Sequence, residues 1–166
     1  MNHYLSRRSF ITRTAMAGGA VMLSNSVLGG VKLASANERV NLACVGIGNR
    51  AAEIIKELYK TGLCNVVALC DVDMGAKQTQ EIMKMFPDAK QFTGVRRVFD
   101  EYGNQFDAGS IGTPELAHFA VTMMALDQGK QVYVEKPMAH TFQEVELMMQ
   151  MARKQSKVVT QMGNQG

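Results

Sequence analysis

Glu135, Lys136 and Pro137 follow directly on Val132-Tyr133-Val134, an apolar run that reads as a buried strand. An acid and a base at the mouth of a cleft could move a proton to or from a bound hydroxyl. The same two side chains could equally form a solvated ion pair. Two further groups have types and spacing suited to chemistry. One is Gly46-Ile47-Gly48-Asn49-Arg50-Ala51, a G-x-G-x-x-A pattern, with Asp71 standing 23 residues after Gly48. The other is Thr113-Pro114, with His118 four residues beyond the proline.

The glycine pattern suits a dinucleotide. Gly46 permits a tight turn, Gly48 lets the backbone approach a pyrophosphate, and Ala51 allows a helix to pack closely on a strand. Free N–H groups near Asn49 and Arg50, at a helix start, would face the anion. Arg50 could add a charge-assisted contact. A carboxylate at Asp71 would accept hydrogen bonds from both ribose hydroxyls and repel a 2′-phosphate, which favours NAD over NADP. Asp73 competes for that role, and Asp71 could instead cap the next helix. Thr113 and Pro114 would place a rigid turn over the cofactor, unless Thr113 caps the following helix. His118 is either a cofactor or substrate contact or a structural histidine.

These residues need elements to bring them together, and the pattern supplies them. Residues 40–45 read as a buried strand, and 49–62 as a helix closed by Gly62. Strands follow at 65–71, 89–92, within 106–114, at 131–137 and at 157–163, and helices at 75–87, 94–103, 115–129 and 141–155. Continuous apolar strands alternating with helices predict a doubly wound parallel α/β sheet, Rossmann-type, covered on both faces. Right-handed crossovers would bring the strand ends with Gly46, Asp71, Thr113 and Glu135 to one rim. Gly109 falls inside the fourth strand. It either makes room for a close backbone approach or weakens the strand.

Composition narrows the function classes. The net charge of +3 comes from the first 36 residues, which hold Arg7, Arg8, Arg13 and Lys32 and no acid. Residues 37–166 carry −1, so they offer no footprint for nucleic acid. Ser6 to Thr12, "SRRSFIT", is a twin-arginine pattern, followed by a weakly apolar stretch and Ala34-Ser35-Ala36 as a cleavage site. Residues 1–36 therefore read as an export signal to the periplasm, with a disordered tail as the alternative. Residues 37–166 read as the NAD(P)-binding domain, with no membrane span in the mature chain. Cys44, Cys64 and Cys70 lack metal-ligand spacing and read as buried small hydrophobes; no metal is expected. The 13 methionines, Met148, Met149 and Met151 among them, read as core fillers.

"VYVEKPMAHTFQEVELM" resembles the E-K-P signature of the glucose–fructose oxidoreductase/inositol dehydrogenase family (Gfo/Idh/MocA). "GIGNRA", "ALCDVD", "GTPELAH" and "VVTQMGNQG" resemble further motifs of that family in order and spacing, so the likeness covers about residues 38–166. The resemblance implies an NAD-dependent oxidoreductase acting on a sugar, polyol or related hydroxyl compound. It places Gly46, Gly48, Asn49 and Arg50 along the pyrophosphate and Asp71 on the adenosine ribose. Thr113, Pro114 and His118 would flank the nicotinamide half, and Glu135 would contact its ribose. Lys136 would face the substrate hydroxyl and help move its proton, and a cis Lys136–Pro137 bond would shape the turn. Asn164 would reach the cofactor or sugar. Glu115-Leu116 and Gly109 depart from the family's usual residues. The family also implies a further α/β substrate domain carrying an Asp-x-x-x-His pair, which these 166 residues do not contain. A fragment inactive by itself is therefore expected, and a homo-oligomer for the full-length form. An NAD-dependent glycoside hydrolase using transient oxidation and elimination, and a non-catalytic nucleotide-binding fragment, are the alternatives.

Overall fold

The structure is a computed structural model that describes residues 39–164. The export-signal reading lies outside the described residues. Six strands form one sheet: β1 (Val40–Val45), β2 (Cys64–Cys70), β3 (Lys90–Phe92), β4 (Ala108–Ile111), β5 (Gln131–Val134) and β6 (Thr160–Met162). Their order is β3-β2-β1-β4-β5-β6, and every neighbouring pair is parallel. This is the doubly wound sheet the alternation predicts. The order reverses between β1 and β4, so a crevice opens where their loops diverge.

Five helices cover the sheet: α1 (Asn49–Lys60), α2 (Lys77–Met85), α3 (Val95–Tyr102), α4 (His118–Asp127) and α5 (Phe142–Lys154). Strand periodicity assigns the faces. Leu42 and Cys44 of β1 point to one side and pack with Ala52 and Ile55 of α1 and Ile82 of α2. Ala43 and Val45 point to the other and pack with Val98 and Phe99 of α3 and Val121, Ala125 and Leu126 of α4. Burying side chains such as Ile55 and Leu126 contributes about 1.5–3 kcal/mol each.

Three expectations change in detail. The expected helix over 115–129 is split: Glu115–Ala117 forms a 3-10 turn, closed by Ala117 N–H donating to Pro114 O at 2.9 Å, and α4 starts at His118. Gly109 gives way to no neighbour, since a Cβ built there meets no atom within 4 Å beyond its chain neighbours. It loosens β4 rather than admitting another backbone. Met148 is buried, but Met149 is 50% exposed, because helical rotation of 100° per residue turns it away from the face that Met148 and Met151 share. All three cysteines are buried and free.

Helix α5 is fixed at its start by a capping box. Thr141 Oγ1 accepts from Glu144 N, while Glu144 Oε2 accepts from the backbone N–H of Thr141. No helix among the described residues is long and apolar enough to cross a membrane.

Candidate functional site

Parallel register puts Phe92, Cys70, Val45, Ile111, Val134 and Met162 in one row across the sheet. The next residue of each chain therefore lies on one rim. Across the five strands from β2 to β6 these are Asp71, Gly46, Gly112, Glu135 and Gly163. Backbone bonds carry the ladder into this row. Gly46 N–H donates to Cys70 O, Gly112 N–H to Val45 O, Glu135 N–H to Ile111 O and Gly163 N–H to Val134 O, at 2.8–2.9 Å. At about 4.8 Å per strand, Asp71 and Glu135 stand roughly 14 Å apart along the row.

The glycine turn sits at the centre. Gly46 has φ +75°, and a Cβ there would lie 2.5 Å from Thr113 N and 2.6 Å from Gly112 C. The turns after β1 and β4 thus meet backbone against backbone. Gly112 is held as tightly, since its Cβ would overlap the Ala51 Cβ. A larger residue at Gly112 would push α1 off the sheet, and one at Gly46 would push away the turn after β4. Gly48 is different. It precedes α1 as N-cap without a side-chain cap, and a Cβ there meets only Thr79 Oγ1, at 3.8 Å. The first N–H groups of α1 consequently face open space with the helix's partial positive charge. Asn49, the first residue of α1, takes φ 45°, a conformation that asparagine tolerates better than most residues.

Asp71 and Asp73 divide two tasks. Asp71 Oδ2 accepts from Ile47 N–H at 2.9 Å, which ties the end of β2 to the glycine turn. Its Oδ1 accepts from Asp73 N–H. Asp73 turns its own carboxylate to Gly75 and Ala76 N–H, both at 3.1 Å, and so closes the loop before α2. Asp71 caps no helix. Arg50 pairs with Glu53 on the flank of α1.

Thr113 caps no helix either. Its Oγ1 is buried and has no partner among the described residues. Pro114 precedes the 3-10 turn and is exposed. His118 is 2% exposed, with Nε2 2.8 Å from Thr113 O and Nδ1 2.7 Å from Pro137 O. Its ring clasps the turn after β4 to the turn after β5, with a carbonyl facing each nitrogen; a neutral imidazole donates to one of the two. The Lys136–Pro137 bond beside it is cis.

Glu135 and Lys136 do not pair. The ion pairs among the described residues are Arg50–Glu53, Lys60–Glu57 and Arg97–Glu101. Glu135 Oε1 instead accepts from the Tyr133 hydroxyl at 3.0 Å, and Lys136 is exposed. Burial, then the hydrogen bond and charge of Glu135, push the Tyr133 hydroxyl above its ordinary range, against a smaller opposing pull from Arg50. Asn164, the last described residue, is exposed just past the rim position Gly163.

This arrangement carries a dinucleotide's features: a glycine turn at the switch point, an uncapped helix start and a carboxylate on each side. The pattern of the family GFO_IDH_MocA, described as "Oxidoreductase family, NAD-binding Rossmann fold", matches residues 40–162. The chain belongs to that family. As a GFO_IDH_MocA domain it is 28% identical over 149 residues to a glycosyl hydrolase family 109 protein of Stenotrophomonas maltophilia, covering 84% of this chain and 31% of that protein. It is 28% identical over 130 residues to D-glucoside 3-dehydrogenase of Escherichia coli, covering 78% and 36%. The crystal structure of a dehydrogenase from Chromobacterium violaceum aligns with TM-score 0.66 at 27% identity, covering 76% of this chain and 36% of that one. The chain thus spans about a third of the length of these relatives.

The GFO_IDH_MocA site holds residues that sequence reasoning passed over. Gly112 and Gly163 are rim positions whose missing side chains make space. Tyr133 shares a strand face with Glu135 by the i, i+2 rule, which was available in the sequence. Val72 and Leu116 are 88% and 81% exposed in the loops after β2 and β4, an unusual place for large apolar side chains. Among the described residues no group of three or more His, Cys, Asp or Glu could hold a metal.

Proposed function

We propose that this chain binds NAD along the rim and forms the cofactor-holding part of an oxidoreductase. That enzyme exchanges hydride with a hydroxyl-bearing carbon of a sugar, polyol or related compound. One observation carries the reading. The glycine turn, the uncapped start of α1 and the buried, partnerless Thr113 Oγ1 converge where the strand order reverses, with Asp71 and Glu135 on either side.

The residues fit the cofactor. Gly48, Asn49 and Arg50 would hold the pyrophosphate by backbone N–H groups. Asp71 would accept from the adenosine ribose, Thr113 would gain the partner it lacks, and Val72 and Leu116 would flank the adenine. Pro114 and the backbone held by His118 would border the nicotinamide half, and Asn164 would reach across from β6. Glu135 would hold the second ribose. The nicotinamide supplies the hydride acceptor when bound. Lys136, exposed and unpaired among the described residues, would take the hydroxyl proton as the carbon loses hydride. Transient oxidation in a glycoside hydrolase is the second reading, favoured by the family 109 name of the Stenotrophomonas relative. In the full-length enzyme, net NADH accumulation supports the first and aglycone release without net redox change the second.

Calorimetry with NAD tests the binding step on the chain itself. Saturable binding, weakened about tenfold or more by Asp71→Ala, is expected. No binding at millimolar NAD would overturn the reading. We also propose that residues 1–36 direct twin-arginine export, on the strength of Arg7-Arg8 and Ala34-Ser35-Ala36. Periplasmic delivery of a fused reporter that survives Arg7→Lys/Arg8→Lys would refute that.

A further inference from the structure

Glu135 is held by more than its place at the end of β5. Its Oε1 accepts from Tyr133 Oη at 3.0 Å, and both atoms lie directly over Gly163. A Cβ on Gly163 would stand 2.7 Å from Tyr133 Oη and in overlap with Glu135 Oε1. Tyr133 and Glu135 therefore fill the space left by the missing side chain of the neighbouring chain segment. Oε2 of Glu135 makes no hydrogen bond among the described residues, and Lys136 forms no ion pair with the carboxylate.

We propose that Tyr133 is a positioning residue for the cofactor: its hydroxyl fixes one oxygen of Glu135 over Gly163 and so presents the other to the ribose hydroxyls of the nicotinamide half. This rests on the NAD-binding reading above. The geometry gives it a direction. A pyrophosphate lying on the glycine turn puts its two ribose groups on opposite sides. One falls toward Asp71 on β2, the other toward Glu135 on β5. Each carboxylate is steadied from its own surroundings, Asp71 by the backbone N–H groups of Ile47 and Asp73 and Glu135 by the Tyr133 hydroxyl. An untethered glutamate would have to lose rotamer freedom on binding, and the tyrosine meets that cost in advance. Burial raises the pKa of Tyr133, so the hydroxyl stays protonated, as a donor, throughout the neutral range.

The experiment compares wild type with Tyr133→Phe in calorimetry, using NAD in one arm and ADP in the other. ADP reaches the Asp71 side and the pyrophosphate site only. Tyr133→Phe is expected to weaken NAD about five- to tenfold and to leave ADP within twofold. A general loosening of the fold would weaken both ligands and lower the thermal midpoint without ligand, and that outcome would overturn the proposal. In a Glu135→Ala background the phenylalanine substitution should lose its effect on NAD, since there is no carboxylate left to position. An undiminished effect would place the hydroxyl in direct contact with the ligand and refute a positioning role. Gly163→Ala displaces the carboxylate by another route and should reproduce the NAD-selective loss. Wild type that binds NAD while Tyr133→Phe matches it sinks this inference alone; wild type that binds no NAD sinks the reading beneath it.

Discussion

The two glycines of the turn after β1 should fail in opposite ways when each is replaced by alanine. At Gly46 the backbone has φ +75°, which costs an L-residue about 1–2 kcal/mol. The new Cβ would also meet Thr113 N at 2.5 Å and Gly112 C and O at 2.6 and 2.7 Å, all backbone atoms that no side-chain rotation can remove. Separating the two turns adds about 1–3 kcal/mol of overpacking. Gly46→Ala should therefore lose about 2–5 kcal/mol, a large part of the ~5–15 kcal/mol that holds a domain together. Its thermal midpoint should fall by roughly 8–20 °C for a domain of this size. At Gly48 the backbone is extended (φ −94°) and the nearest atom to a Cβ is 3.8 Å away. Gly48→Ala should melt within ~2 °C of wild type. It should nevertheless bind NAD at least about tenfold more weakly, because the methyl group stands where the pyrophosphate must approach the backbone. Circular-dichroism melts without ligand and calorimetry with NAD separate the two effects. A Gly46→Ala variant that melts like wild type would refute the backbone contact at the switch point. A Gly48→Ala variant with unchanged affinity would remove the dinucleotide from this turn.

The remaining predictions concern the scaffold around that turn. Gly109→Ala should raise the thermal midpoint by about 2–4 °C, from about 0.5–1 kcal/mol of recovered chain entropy and no clash; a lower midpoint would show that something does approach the strand. His118→Leu removes the ring N–H from between the carbonyls of Thr113 and Pro137 and should cost about 1–3 kcal/mol, read as a fall in urea midpoint; a wild-type midpoint would mean that solvent already serves those oxygens. Burial pushes the Cys70 thiol up from its ordinary 9.0 to about 11, and raises Cys44 and Cys64 in the same direction. The folded state therefore retains protons that the unfolded chain releases, so stability should hold below pH 9 and fall between pH 9 and 11. Melts across that window check the sign, and rising stability would contradict it.

How much of this was legible before the fold was built depends on the kind of signal. Strand order and parallel register follow from short apolar runs alternating with amphipathic helices, because a sheet buried on both faces tolerates little else. Gly46, Gly48 and Ala51 were legible because each answers a steric demand inside a six-residue window. Asp71 could be preferred to Asp73 by its place nearer the strand end, but its tie to the glycine turn through Ile47 N–H, 24 residues away in sequence, could not be read. Gly112 and Gly163 were silent for the same reason. A glycine's purpose lies in the atoms that would overlap its Cβ, here Ala51 on another element and Glu135 on another strand. The role of His118 needed Pro137 O, which a cis turn brings over from 19 residues away.

That leaves the two charges at the end of a hydrophobic strand. A Glu135–Lys136 ion pair would have neutralised both and left neither for a ligand. The structure instead partitions them. Tyr133, two residues back on the same side, satisfies half of the carboxylate, and Gly163 just past β6 yields the space. The lysine is left exposed with its ammonium uncommitted. Charges adjacent in sequence are kept apart because successive residues leaving a strand point to opposite sides. The local period of two that makes β5 a buried strand also separates the group proposed to hold a ribose from the group proposed to take a proton. Reversing them tests this. Glu135→Lys/Lys136→Glu conserves net charge but puts an ammonium against the Tyr133 hydroxyl and over Gly163. If NAD affinity survives that exchange, charge alone matters at this rim and the partition has no function.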